Sequence, residues 1–274
     1  MGVLKTYLER ANGKGTRFLV ETTVKNVLVR EGKAVGVQAE CQGHELVIKA
    51  QIVVLAAGSI HTPAILLRSG LRHPHIGKHL HLHPTVSVAG VYPQPMNAWQ
   101  GNMMTALSNE ITHITGNWGA KLETPPIHSG LLAMALPWLS GKAHKEGMLK
   151  AAQVGAFIVL TRDRDGGTIT LDKHGNPVAH YHISSFDLAH LQRGIQEAAR
   201  IHQQAGAEEL YFPHNHQAPL NLKSGIQALE TALREIPFWR WKPNDFPLFS
   251  AHQMGTCRMG GHRTTHPVSP EGEL

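Results

Sequence analysis

The stretch QIVVLAAGSIHTPAILLRSGL, residues 51–71, constrains the fold more than any other part of this 274-residue chain. The run from Ile52 to Ala57 is continuously apolar, the pattern of a strand buried on both faces in a parallel sheet. It stops at Gly58. Ser59 is placed to cap a helix that carries Pro63 in its opening turn and Ile65, Leu66 and Leu67 beyond it. A strand, a turn of small residues and a helix, in that order, let a phosphate or ribose approach the backbone.

The flanking segments extend this pattern. MGVLKTYLERANGKG predicts a short amphipathic helix and a turn. FLVETTVKNVLVREGKAVGVQAE alternates apolar and polar residues and is broken at Glu31-Gly32-Lys33, so it predicts strands in a meander. ELVIKA is a further strand, expected to run beside the apolar stretch. Residues 73–147 are rich in His, Pro, Met and Trp with weak periodicity, which predicts irregular chain that lines a cavity or joins elements. The Met and Trp residues from Met96 to Trp138 read equally as pocket lining or as core. GAFIVLTRD, the Gly166-Gly167 turn and TITLDKHGNPVAHYHI predict three strands joined by two hairpin turns. An amphipathic helix follows, ending at Gly206, and another spans roughly residues 222–234.

Composition removes several classes of function. Hydrophobic residues at 42% and charged residues at 17% are those of a chain with a packed core, which excludes general disorder. The net charge of +6 is dispersed rather than clustered and aromatics are few, so no nucleic-acid partner is expected. Two distant cysteines, Cys41 and Cys257, make neither a disulfide framework nor a thiolate metal site, and Cys257 reads as a buried small residue. No signal-peptide hydrophobic region and no apolar run of membrane-spanning length is present. The chain carries 20 histidines, and His79, His81 and His83 would share one face of a strand. That is a zinc-like spacing, but no carboxylate or cysteine accompanies it.

GSIHTPAILLRSGL (58–71) and AHQMGTCRMG (251–260), taken together, resemble two signatures of the glucose–methanol–choline (GMC) family of flavin-dependent alcohol oxidoreductases. Gly58, Ser59, Thr62, Pro63, Ile65, Leu66, Ser69, Gly70 and Leu71 fit the first, with Arg72 standing where the family has a final glycine. IGKHLHLHP (76–84) is similar to the segment that leads into the family's substrate domain. Within the family, the wording HQMGTCRMG and the block from Phe157 to Gly206 resemble the long-chain (fatty) alcohol oxidases.

The resemblance implies an α/β (α+β) fold: part of a three-layer FAD/NAD(P)-binding domain, plus a substrate domain with an antiparallel sheet and covering helices. It assigns residues 1–72 to the FAD-binding domain, 73–248 to the substrate domain and 249–274 to a return to the former. It also implies FAD as cofactor and hydride transfer from a hydrophobic primary alcohol, with oxygen or another electron acceptor completing the cycle. His252 matches the family's base, and a neutral imidazole suits that step because its ordinary pKa lies near neutrality. Val24 matches the position whose backbone contacts adenine, and Ala57 and Gly58 the turn that packs against the dinucleotide. The family's G-x-G-x-x-G is not found; Gly13-Lys14-Gly15 lacks the third glycine. With the base's partner, an Asn or second His, falling beyond Leu274 in the family, the expectation is a fragment that does not hold FAD stably by itself. A cytoplasmic or peripherally membrane-associated placement is expected. A non-catalytic binding module and a His-rich metal-binding protein are the alternatives.

Overall fold

The computed structural model describes residues 2–274, whose contacts divide the chain into two compact units. One gathers the residues up to Gly77 with 169–179 and 256–274; the other gathers 78–168 and 180–255.

The first unit begins with helix α1 (Tyr7–Gly13), followed by strands β1 (Thr22–Arg30), β2 (Lys33–Cys41) and β3 (His44–Lys49). These form the expected antiparallel meander. Each connection is two residues with positive φ, Glu31-Gly32 and Gln42-Gly43, the turn geometry that matches strand twist. A bulge between Val24 and Asn26 bends β1 at Lys25. Helix α2 (Gly58–Arg68) packs on β1, burying Ala64, Ile65 and Leu66. Its last turn is tied down by polar contacts: Arg68 Nε donates to Lys25 O (2.6 Å), Arg68 Nη1 to Gly175 O (3.0 Å), and Ser69 Oγ accepts from Val27 N (2.8 Å).

Three expectations for this region are corrected. Residues 52–56 form no strand, and Ile52 and Val54 are each 81% exposed. A buried parallel strand needs a neighbour along each edge, and no described strand pairs with this run. Ser59 does not cap α2, because the helix already starts at Gly58 with Ala57 at the N-cap, which places Ser59 inside the first turn. Pro63 lies one turn deeper than expected. Its missing N–H falls opposite the Ser59 carbonyl, four residues back. The buried Thr256 hydroxyl donates to that carbonyl (2.6 Å), tying the chain around 256 to α2.

The second unit is built on a six-stranded antiparallel sheet in the order β12-β11-β5-β8-β7-β6. Its strands in chain order are β5 (Thr85–Val91), β6 (Leu107–Ser108), β7 (Ala120–Glu123), β8 (Val154–Thr161), β11 (Glu209–Tyr211) and β12 (Leu220–Asn221). The short strand β4 (Lys78–Leu80) precedes β5, and strands β9 (Gly167–Leu171) and β10 (Pro177–His180), most of whose residues belong to the first unit, follow β8 in the chain. Helices α3 (Ser129–Ala135) and α4 (Gly141–Leu149) lie between β7 and β8; α5 (Ser185–Gln204) and α6 (Ile226–Glu235) come later.

Residues 73–147 are therefore more regular than expected, and β5 is a central strand. The turn at Gly166-Gly167 does not fold β8 onto β9, because β5 and β7 already occupy both edges of β8. β9 pairs instead with β10 and, at Thr168, with Lys78 of β4.

The register of β5 on β8 sorts the two faces of the sheet. Val86 faces Val159 and Val88 faces Phe157; this face packs under α5 through Leu191, Ile195, Ala198 and Ala199. Residues one position along face the other way: Thr85 opposite Leu160, Ser87 opposite Ile158, Ala89 opposite Ala156. Ala89, Val91 and Val154 on that second face pack with Ile127, Leu132, Leu136 and Tyr211. The period-2 alternation of a strand thus supplies a closed core on one side and a partly open one on the other.

Candidate functional site

The second face of the sheet opens into a cavity of about 240 Å³. Ala156, Ile158 and Leu160 from β8 and Leu131, Leu132 and Ala135 from α3 line it, with Met104, Pro125, Pro126 and Ile127. Its polar groups are few: Thr85, Ser87, Ser250 and His252. An apolar chamber with a small polar cluster is the ordinary construction of a site for a largely apolar small molecule. Of the Met and Trp residues between 96 and 138, Met104 lines this cavity, whereas Trp99, Met103, Met134 and Trp138 are exposed on the surface.

The segment carrying His252 is stitched antiparallel to the chain entering β5. Thr85 and Phe249 exchange both backbone hydrogen bonds (2.9 Å each), and His81 and Met254 do the same (3.0 and 2.9 Å). Between these bridges the 249–254 segment carries one residue more than the 81–85 segment, and His83 opposite it adopts φ +46°. His83 and His252 come to face one another, ring centroids 5.8 Å apart and tilted by 34°. Ser250 clamps the two segments: its hydroxyl donates to Leu82 O and accepts from His252 N (3.3 Å). The His252 ring is exposed and, among the described residues, has no side-chain hydrogen-bond partner, so its nitrogens are open to a ligand.

Beneath His83 lies Asp163, whose side chain is fully buried. Its carboxylate accepts from the backbone N–H of Leu82 (2.8 Å) and of His83 (3.1 Å) and from the Tyr181 hydroxyl (3.1 Å), with His81 Nδ1 at 3.7 Å. Burial, with Asp163 adding to it, raises the Tyr181 phenol far above its ordinary pKa, so Tyr181 remains a donor. Burial also lowers the pKa of His83; Asp163 opposes this, and His252, Arg162 and His81 reinforce it. His79 and His83 both adopt positive φ, which breaks the period-2 alternation on which a shared histidine face depends. Among the described residues no group of three His, Cys, Asp or Glu is placed to hold a metal ion. Cys257 is a partly buried thiol whose pKa burial pushes up to about 11, unsuited to act as a nucleophile at neutral pH.

Val24, Ala57 and Gly58 all lie in the first unit, and His252 in the second. Val24 is half-buried on β1 beside the bulge. Gly58 has φ +73°, a conformation that favours glycine, and a Cβ there would meet nothing within 4 Å. The N-terminus of α2 behind it has no side-chain cap. An open approach to uncapped backbone N–H groups fits the pyrophosphate-bearing cofactor that the sequence resemblance implies. Residues that pattern alone did not reveal are Asp163 and Ser250, which act through backbone contacts, and Tyr181, whose hydroxyl donates to the Asp163 carboxylate; all of these contacts exist only once distant segments have met.

Comparison with known proteins identifies this architecture. Models of the GMC oxidoreductase family match residues 1–85 and 163–274, well over half of the chain between them. The chain is 32% identical over 255 residues to long-chain-alcohol oxidase FAO4A of Arabidopsis thaliana, spanning 89% of this chain and 34% of the relative. It is 28% identical to long-chain-alcohol oxidase FAO3 of the same plant, over 95% of this chain and 36% of the relative. An uncharacterized GMC-type oxidoreductase of Mycobacterium tuberculosis is 31% identical over the whole chain and 42% of its own length. The chain thus spans little more than a third of the plant relatives it matches. The fold is shared with pyridoxine 4-oxidase from Mesorbium loti, at a TM-score of 0.57 and 16% identity over 87% of this chain and 47% of that one. An FAD-dependent oxidoreductase from Chaetomium thermophilum has the same TM-score of 0.57, at 15% identity over 95% of this chain and 56% of that one.

Proposed function

The chain belongs to the GMC oxidoreductase family, and from that premise we propose that it forms part of an FAD-dependent enzyme that oxidises a long-chain primary alcohol to its aldehyde, with His252 as the base. The observation that carries the reading is the cavity on the second face of the sheet, apolar along Ile158, Leu160, Leu131 and Leu132 and carrying His252 among its few polar groups. An alkyl chain would occupy the apolar lining and leave its hydroxyl among Thr85, Ser250 and His252. The open imidazole nitrogen of His252 would take the hydroxyl proton. Bound FAD would supply the two-electron acceptor for the hydride leaving the carbon that bears this hydroxyl, and oxygen or another acceptor would take those electrons onward. Val24, Ala57 and Gly58 are proposed to hold the dinucleotide. In this reading 1–72 and 249–274 belong to the flavin-binding part and 73–248 to the alcohol-binding part, and the enzyme works in the cytoplasm or at a membrane surface. Among the described residues no helix is long and apolar enough to cross a membrane.

The test is His252→Ala in the flavin-loaded protein. Loss of a general base lowers kcat about 10²–10⁴-fold on a long-chain alcohol, with flavin absorbance and content unchanged. An unaltered kcat would refute the assignment.

A further inference from the structure

We propose that His83, seated on Asp163, is the positioning residue that holds the His252 imidazole in its working orientation. The inference rests on the reading of His252 as the base. Three observations meet here. The His252 ring has no hydrogen-bond partner of its own among the described residues, and the ring beside it among them is that of His83, 5.8 Å away between centroids. His83 sits at a positive φ, a conformation unfavourable for any residue with a Cβ, and the structure around it over-determines that conformation. Asp163 grips the N–H groups of both Leu82 and His83, and Ser250 links Leu82 O to His252 N across the two segments. A buried carboxylate that spends its lone pairs on the backbone of the facing segment is suited to fixing geometry rather than to reacting.

The groups around His83 also suit it to remain uncharged beside a base. Asp163 favours its protonated form, whereas burial and the neighbouring His252, Arg162 and His81 disfavour it. When His252 takes a proton, His83 can therefore stay neutral and present a polar face instead of a second positive charge.

The experiment is NMR of the His252 side chain, with labelled histidine, in the wild type, His83→Phe, His83→Ala and Ser250→Ala. The expected result is a single χ1 rotamer for His252 in the wild type and His83→Phe, which keeps a ring, and averaged couplings in His83→Ala and Ser250→Ala. A His252 ring already averaged in the wild type, or still fixed in a folded His83→Ala, overturns the proposal. If His83→Ala does not fold, His83→Gln decides, since it keeps a polar side chain of similar length but no ring; a fixed rotamer there overturns the proposal equally. In the flavin-loaded protein, misplacement of the base by His83→Ala lowers kcat about 10–100-fold while KM for the alcohol stays nearly constant. Failure of the base reading shows separately: His252→Ala would then leave kcat intact, whatever the rotamer measurement gives.

Discussion

Within the interface between α5 and β5, His202 is a buried polar residue with both ring nitrogens engaged. Its Nδ1 lies 2.9 Å from the Tyr92 hydroxyl and its Nε2 lies 3.1 Å from Val88 O. The carbonyl can only accept, so Nε2 carries the proton and Nδ1 accepts from Tyr92. Gly90 permits this approach, since a Cβ there would stand 2.6 Å from Nδ1. Burial lowers the His202 pKa from 6.5 to about 4. The unfolded chain therefore binds this proton at a higher pH than the folded one. Stability contributed by the neutral ring is complete above the unfolded value and is lost as pH falls through the window from about 6.5 to about 4, by roughly 3 kcal/mol at most. Urea denaturation across that window is expected to show the loss, and His202→Gln, with no group to titrate there, is expected to show a shallower one. Equal slopes in the two proteins would exclude His202 as the source.

At the scale of the element, α5 lies on the sheet as closely as it does because Gly194 faces β8. A Cβ at this position would overlap Val159 Cγ1 and come within 3.2 Å of the Ala120 Cβ. Alanine is the better helix former by about 1 kcal/mol, but overpacking a closed core costs about 1–3 kcal/mol. Gly194→Ala is therefore expected to lower the denaturation midpoint. Gly141→Ala, in α4 with open space around it, is expected to leave the midpoint unchanged or raise it. A Gly194→Ala protein as stable as the wild type would show that α5 can ride up without cost.

The elements legible in the sequence are those whose pattern is local. The meander β1–β3 has its alternation and turn residues, and α5 has its apolar stripe and Gly206 at φ +85°. Strand β5 escaped notice because the alternation of Thr85-Val86-Ser87-Val88 lasts only four residues before Ala89-Gly90, within a stretch rich in His and Pro. The run after β3 misled for the converse reason: its composition is that of an interior strand, but a strand is defined by partners that composition does not name. The site divides in the same way. The proposed base His252 is suggested by its neighbours in the chain, whereas the contacts of Asp163 and Ser250 exist only across the fold.

For the whole molecule, apolar burial is distributed unequally between the two units. Both hydrophobic clusters, one under α5 and one beneath α3, lie entirely in the second unit. The first unit buries a smaller set that includes Val27, Ala39, Ala64, Ile65 and Leu66, while Phe18, Leu19, Val20, Ile52 and Val54 are exposed. Local stability follows buried apolar contact, so the two units should not open with the same free energy. Hydrogen exchange followed by mass spectrometry is expected to find amides of β5, β8 and α5 the most protected. Those of β1–β3 should exchange sooner, and residues 52–56, which pair with no described strand, should exchange first. Protection of 52–56 equal to that of α5 would mean that this run is covered in solution, for example by a second copy of the chain. A repeat at tenfold dilution separates the two cases, because protection borrowed from another molecule falls on dilution and protection within one chain does not.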